Sequence, residues 1–151
     1  MLFDKEGRYN VHEFLSIDLE KVEVGNDLAD LIDLLPIYFD LGKSTIRSDA
    51  AIELDKIVKV MNDNPEMIIE LGSHTDSRGS AKSNQSLSDR RAKSSADYIK
   101  KRITNPERIT GKGYGESKLV NHCSDGVQCS ELEHQANRRT EFIIVQMENP
   151  K

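Results

Sequence analysis

Asp76 and Arg91 are the residues whose types and placing best fit a chemical task. Asp76 ends a polar run, Gly72-Ser73-His74-Thr75-Asp76, that follows an alternating apolar stretch. Arg91 lies further on, in a segment with helical periodicity that begins near Asn84. At about 3.6 residues per turn, Asn84, Leu87 and Arg91 share one stripe, while Ala92, Ala96, Ile99 and Ile103 form another. The second stripe suits a core. The first mixes an amide, an apolar group and a guanidinium, which suits a small ligand with both carbon and charge. Asp76 facing Arg91 across a groove complements a zwitterion: an ammonium for the carboxylate and a carboxylate for the planar guanidinium fork. Plainer roles stay open. Asp76 can organise its own turn, Arg91 can pair on the surface, Asn84 can cap a helix and His74 can be structural.

Nucleophilic chemistry is a weaker reading. Ser73, His74 and Asp76 are the types of a hydrolytic triad, but near neighbours at a strand end diverge, and a triad needs a continuous hydrogen-bonded chain. Two carboxylates across a cleft, or a metal cluster, would suit a hydrolase, and neither stands out. The expectation is no enzyme, no cofactor and no metal. Cys123 and Cys129 flank a polar loop with a turn-forming Asp125-Gly126 pair, so a disulfide is expected. A metal site of His122, Cys123, Cys129 and His134 has wider cysteine spacing than zinc sites favour, and two free thiols are the third option. A disulfide would place the chain in an oxidising compartment such as the periplasm.

Bulk properties narrow the partners. The chain has 151 residues and a net charge of -5. An acidic chain with scattered Lys and Arg is poorly suited to nucleic acid. With only 5% aromatic residues and no Trp, a carbohydrate-stacking platform is not expected. No stretch approaches the roughly 20 apolar residues of a membrane span, and Met1-Leu2-Phe3 running into Asp4-Lys5-Glu6-Gly7 does not read as a signal peptide.

The elements that must position these residues read as strand, helix, strand, helix, strand, strand. A short strand is expected over 34–39, with Pro36 at its start or edge. Ser48 to Met61 carries Ala51, Leu54, Val58 and Met61 at helical spacing, with Ser48 as a possible cap. Met67 to Leu71 alternates as a strand. The second helix spans Asn84 to Ile103, and Arg108 to Tyr114 is a short strand punctuated by Gly111, Gly113 and Gly115. The polar stretch 116–137 reads as a long loop tied by the cysteines. Thr140 to Met147 is apolar on both parities, as a central strand would be. Asp4 to Arg8 reads as a turn, Phe14 to Val24 as one kinked or two short strands, and Gly25-Asn26-Asp27 as a turn. Residues 1–30 are set apart as an extension or a join to an upstream domain, and 31–148 as one domain.

Several motifs in order resemble the OmpA-like peptidoglycan-binding domains. They are Ile37-Tyr38-Phe39-Asp40, Gly72 to Ser80 with Asn84, Leu87-Ser88 and Arg90-Arg91-Ala92, then Gly111-Lys112-Gly113-Tyr114-Gly115-Glu116 and Asn137-Arg138-Arg139-Thr140-Glu141. The resemblance covers roughly 35–147. It implies an α+β fold, a β-α-β-α-β-β two-layer sandwich with helices on a mixed sheet. It implies peptidoglycan as partner, gripped through the diaminopimelate of its stem by Asp76 and Arg91. Supporting contacts fall on Phe39, Asp40, Thr75, Asn84 and Leu87, and a further arginine on Arg138. Ser73 stands where the family usually has glycine, and Gly42 where it usually has an acid. The cysteine loop with Glu133-His134-Gln135 resembles versions from Bacteroidetes, which implies a periplasmic domain of an outer-membrane protein or lipoprotein. A protein–protein adaptor without wall binding is the alternative.

Overall fold

The computed structural model describes residues 22–147. The apolar alternation of Met67, Ile69 and Leu71 puts all three in the core, and the strand that carries it, β1 (Ile68–His74), is the centre of the sheet. β2 (Ile109–Gly115) pairs parallel to β1 on one side, and β3 (Thr140–Gln146) pairs antiparallel on the other, giving the order β2-β1-β3. The α+β mixed sheet expected from the sequence is therefore present.

Two expectations about strands need correction. The segment 34–39 is not a strand: it joins neither edge of the sheet. Pro36 removes one ladder donor, the Leu35 N–H is taken by the buried Glu53 carboxylate at 2.9 Å, and only Leu34 and Ile37 lean on the core. β3 is not central. Phe142 and Ile144 are buried, whereas Val145 is 45% exposed. Its outer edge is satisfied by a short irregular segment: Gly25 N donates to Ile144 O at 2.7 Å, Ile144 N to Asn26 O at 3.0 Å, and Phe142 N to the Asp27 carboxylate at 2.9 Å. Pairing the edge in this way covers its ladder over Phe142 to Ile144.

That segment runs into α1 (Leu28–Leu31), capped by the Asp27 side chain. Val22, Leu28 and Ile32 join the same core as the sheet, so this packing reaches back to Val22. The turn expected at 4–8 and most of the stretch 14–24 lie outside the described residues.

α2 (Ser48–Asp63) buries Ala50, Leu54, Ile57 and Met61. The stripe is thus turned from the expected 51/54/58/61 setting, and Ser48 is the first helical residue rather than the cap, which is Arg47. α3 (Ala81–Lys100) starts three residues earlier than its apolar pattern, because Ser80 accepts a hydrogen bond from Ser83 N and caps it there. Its Ala92, Ala96 and Ile99 are buried against the sheet. The glycines of β2 make this approach possible. A Cβ on Gly111 would stand 2.5 Å from the Ala92 carbonyl oxygen, and one on Gly113 would stand 2.4 Å from Asp89 N. In a close-packed interior neither atom can yield.

A 3-10 turn, Pro106–Arg108, precedes β2. The long loop after β2 contains α4 (Glu131–Asn137), whose Ser130 and Glu133 cap each other reciprocally.

Candidate functional site

β1 ends in a register shift against β2 between Ser73 and His74. Beyond it the chain is pinned by backbone bonds, His74 N to Arg139 O and Thr75 N to Gly115 O, each 2.9 Å. Asp76 follows directly and is 6% exposed. One carboxylate oxygen accepts the Arg78 N–H at 2.9 Å, the Asx turn that Asp favours. The other accepts Arg78 Nη2 at 2.8 Å and Arg138 Nη1 at 2.7 Å. Both arginines continue to Glu131, at 2.9 and 2.5 Å. Two carboxylates and two guanidiniums thus interlock. Burial pushes the Asp76 carboxyl up, but the bonds from Arg78 and Arg138 outweigh it and bring it to about 2. The same bonds raise Arg78 further above its ordinary value.

Two braces hold this loop. Asn84, in the first turn of α3, is not its cap; its amide reaches Asp76 O at 3.2 Å, Arg78 O at 3.0 Å and the Glu116 carboxylate at 3.2 Å. Ser77 donates its hydroxyl to the carbonyl of Cys123. Cys123 is bonded to Cys129, the expected disulfide.

Arg91 comes from the middle of α3. Its Nε donates to Lys43 O at 2.9 Å and its Nη2 to Asp40 O at 3.3 Å, and the guanidinium lies 4.8 Å over the Phe39 ring. The two carbonyls belong to a tight turn closed by Lys43 N to Asp40 O at 2.9 Å. Gly42 sits at the third position with φ +67°, where such turns favour glycine. What reads in sequence as a lost acidic side chain is a backbone requirement that aims two carbonyls at Arg91. Burial, then Arg90 and Arg138, push the Arg91 pKa down, yet an arginine keeps its charge. Among the described residues no carboxylate pairs with it.

Asp76 and Arg91 line one cleft of about 640 Å³, together with Phe39, Thr75, Asn84, Leu87 and Arg138. Of the residues singled out in sequence, Asp40 is not on this wall. Its carboxylate, 72% exposed, turns to Arg47 at 3.4 Å, and only its carbonyl serves the site. The sequence reading missed Arg78, Glu131, Leu41 and Gly42, which also line the cleft. Arg78 had a signal, standing two residues after an aspartate; Glu131 had none, since it arrives through tertiary packing. The wall carries three guanidiniums (Arg78, Arg91, Arg138) against two carboxylates (Asp76, Glu131), so one positive charge is unmet. The cleft can therefore take an anion at Arg91, beside an apolar patch from Leu87 and Phe39.

The triad types do not form a relay. His74 is buried with Nε2 2.7 Å from the Glu141 carboxylate and its ring stacked on Tyr114 at 5.0 Å, while Asp76 belongs to the arginines. Burial first, then Arg139, lower the His74 pKa, and the Glu141 carboxylate opposes them. Near the disulfide, His122, Cys123, Cys129 and Glu133 place ligand-type atoms within 4.8 Å of one another. Glu133, rather than the His134 of the metal alternative, completes that group, and both sulfurs are committed to each other. No helix among the described residues is long and apolar enough to cross a membrane.

A profile of the OmpA family matches residues 38–132. The chain is 39% identical over 115 residues to a Gloeobacter violaceus protein named Photosystem I P700 chlorophyll a apoprotein A2, covering 74% of this chain and 13% of that protein. It is 34% identical over 89 residues to the peptidoglycan-associated lipoprotein of Rhizobium meliloti, covering 59% of this chain and 51% of that one. The chain thus spans about half or less of the length of these relatives. The crystal structure of the peptidoglycan-associated lipoprotein from Burkholderia pseudomallei superposes with a TM-score of 0.62 at 18% identity, over 75% of this chain and 92% of that one. That likeness bears on the fold alone.

Proposed function

The chain belongs to the OmpA family, and from that premise we propose that it binds peptidoglycan non-covalently through the diaminopimelate of the stem peptide. In this reading it works without turnover, in the periplasm, and ties a parent envelope protein of the outer membrane to the wall. The carrying observation is the shared cleft with Asp76 at one end and Arg91 at the other. Diaminopimelate has an amino-acid centre at each end, and the side-chain centre presents a carboxylate and an ammonium together. Its carboxylate meets Arg91, whose charge has no carboxylate partner among the described residues. Its ammonium meets the Asp76 oxygen that, among the described residues, accepts only the Arg78 N–H, since an ionised carboxylate has acceptor capacity for more. Leu87 and Phe39 cover the methylenes between, and Arg138 holds Asp76 in place.

Discrimination follows from the unmet charge. A lysine-type stem lacks the side-chain carboxylate and would leave Arg91 unpaired in the cleft. Charge-assisted hydrogen bonds contribute roughly 1.5–3 kcal/mol each, so losing a pair costs about 10²-fold or more in affinity. Pull-down on purified sacculi tests this. The wild-type chain should be retained on diaminopimelate-type wall and released from lysine-type wall. Equal retention on both would refute the assignment.

A further inference from the structure

The disulfide loop that braces Ser77 gathers more than two sulfurs. Its first half, 120–123, is tied to α4 by bonds that involve no sulfur. Val120 N donates to Asn137 Oδ1 at 2.7 Å, the Asn121 amide to Glu133 O at 2.8 Å, and the Asn137 amide to Asn121 Oδ1 at 2.8 Å. Cys123 N donates to the same Asn121 oxygen at 3.2 Å. Asn137 is buried, so this clamp belongs to the interior. On the other side, Cys129 directly precedes the capping residue Ser130, and Glu133 folds back over that cap, its Oε1 accepting Ser130 N at 2.9 Å. The second oxygen of Glu133 stands 3.6 Å from His122 Nε2, which is 3.8 Å from Cys129 Sγ. A nitrogen, an oxygen and two sulfurs thus lie within 4.8 Å of one another.

Those separations are close to the spacing of ligands around a zinc ion. Bonds of about 2.0–2.3 Å at tetrahedral angles set neighbouring donors about 3.3–3.8 Å apart. Only the sulfur–sulfur bond keeps this set from closing on a metal. We propose that in the dithiol form Cys123, Cys129, His122 and Glu133 hold a single Zn²⁺, which then replaces the disulfide as the clasp behind Ser77. The wide cysteine spacing is offset by the fold: the neighbour of one cysteine and the helical turn after the other supply the two remaining ligands. Thiolates and imidazole select zinc over calcium or magnesium. Cys123 is buried and Cys129 half-buried, so reduction begins at Cys129. A thiolate of an incoming dithiol bonds to the Cys129 sulfur, and Cys123 leaves as thiolate. The second thiol of the reductant then displaces Cys129 and closes the reductant's own disulfide. Two electrons and two protons pass to the cysteines, and zinc displaces both protons. The bonds from Asn121 and Asn137 keep the ligands assembled in the meantime. Nothing in this inference depends on what the cleft binds.

The test reduces the full chain with a dithiol, removes the reductant without air, and titrates with Co²⁺ as a spectroscopic substitute for Zn²⁺. A single Co²⁺ per chain should bind, giving the visible bands of a tetrahedral ion and near-ultraviolet charge transfer from thiolate. Zn²⁺ added afterwards should abolish both, and the oxidised chain should show neither. Glu133→Gln, which keeps a capping side chain at that position, should weaken binding about tenfold or more. His122→Ala, at a side chain 66% exposed, should do the same without disturbing the core. A thermal melt gives a second readout: reduction should lower the Tm, and one equivalent of Zn²⁺ should restore most of the loss. A reduced chain without thiolate bands, an affinity unchanged in both variants, or a melt that zinc does not move would overturn the site and leave the cysteines as a plain disulfide.

Discussion

The two ends of the cleft are built on opposite principles. Around Asp76 every charge is answered: Arg78 and Arg138 hold it, Glu131 holds them, and Asn84 and the disulfide-bonded loop hold the backbone. Around Arg91 the only acceptors among the described residues are two backbone carbonyls and an aromatic face. A satisfied end costs little to keep in place and resists distortion. An unsatisfied end attracts an anion of the right shape. The contrast teaches that the conspicuous aspartate is held as a structural anchor; in the proposed function it spares one acceptor for ligand, and the arginine carries the larger share of recognition.

Substitutions can break that contrast. Arg91→Ala should lower affinity for diaminopimelate-type wall by at least about 10²-fold, close to 3 kcal/mol, with a stability change near 1 kcal/mol; sacculus retention and a thermal melt measure the two. Asp76→Asn should invert the balance. It leaves two guanidiniums short of a carboxylate and should cost about 3 kcal/mol of stability in urea unfolding. A fully stable Asp76→Asn protein would mean the anchor is not structural. Replacing both cysteines by serine should cost about 2 kcal/mol for so short a loop and weaken the brace on Ser77, which hydrogen exchange at Ser77 and Arg78 would register.

Acid titration sharpens the same point. The folded Asp76 value of about 2 lies below its ordinary 3.8, so the native state favours the ionised form. Its contribution, about 2 kcal/mol, is complete above pH 4 and drains away as pH falls from about 4 to about 2. Wild-type and Asp76→Asn stabilities should differ most above pH 4 and converge towards pH 2. The smallest effect is expected at Leu87, where Leu87→Ala should reduce affinity by under tenfold and leave the charge-dependent contrast intact.

Much of this arrangement was legible beforehand. Alternation fixed β1, because Met67, Ile69 and Leu71 leave no other face for a core. Periodicity found α3, and the stripe bearing Asn84, Leu87 and Arg91 is the one that lines the cleft. The segment 34–39 misled because a short apolar run looks the same whether it pairs in a sheet or lies across one. α2 was rotated because Ala50 and Ala51 offer equal small groups, and packing against the sheet chose between them. α4 was overlooked although Ser130 and Glu133 carry the spacing of a capping box. The grip of Glu131 on Arg78 and Arg138 could not be read at all, since it joins residues distant in sequence through the fold.

The most direct test is a nuclear magnetic resonance titration of the wild-type chain with meso-diaminopimelate, watching the Arg91 guanidinium and the backbone amides of Thr75 to Arg78. The Arg91 resonance should move most, with smaller shifts around Asp76, and Nα-acetyl-lysine amide, which offers an ammonium but no free carboxylate, should leave Arg91 unmoved at the same concentration. Shifts confined to the opposite side of the disulfide loop, around Gly126 and Gln128, or an equal response to Nα-acetyl-lysine amide, would contradict a carboxylate held by Arg91.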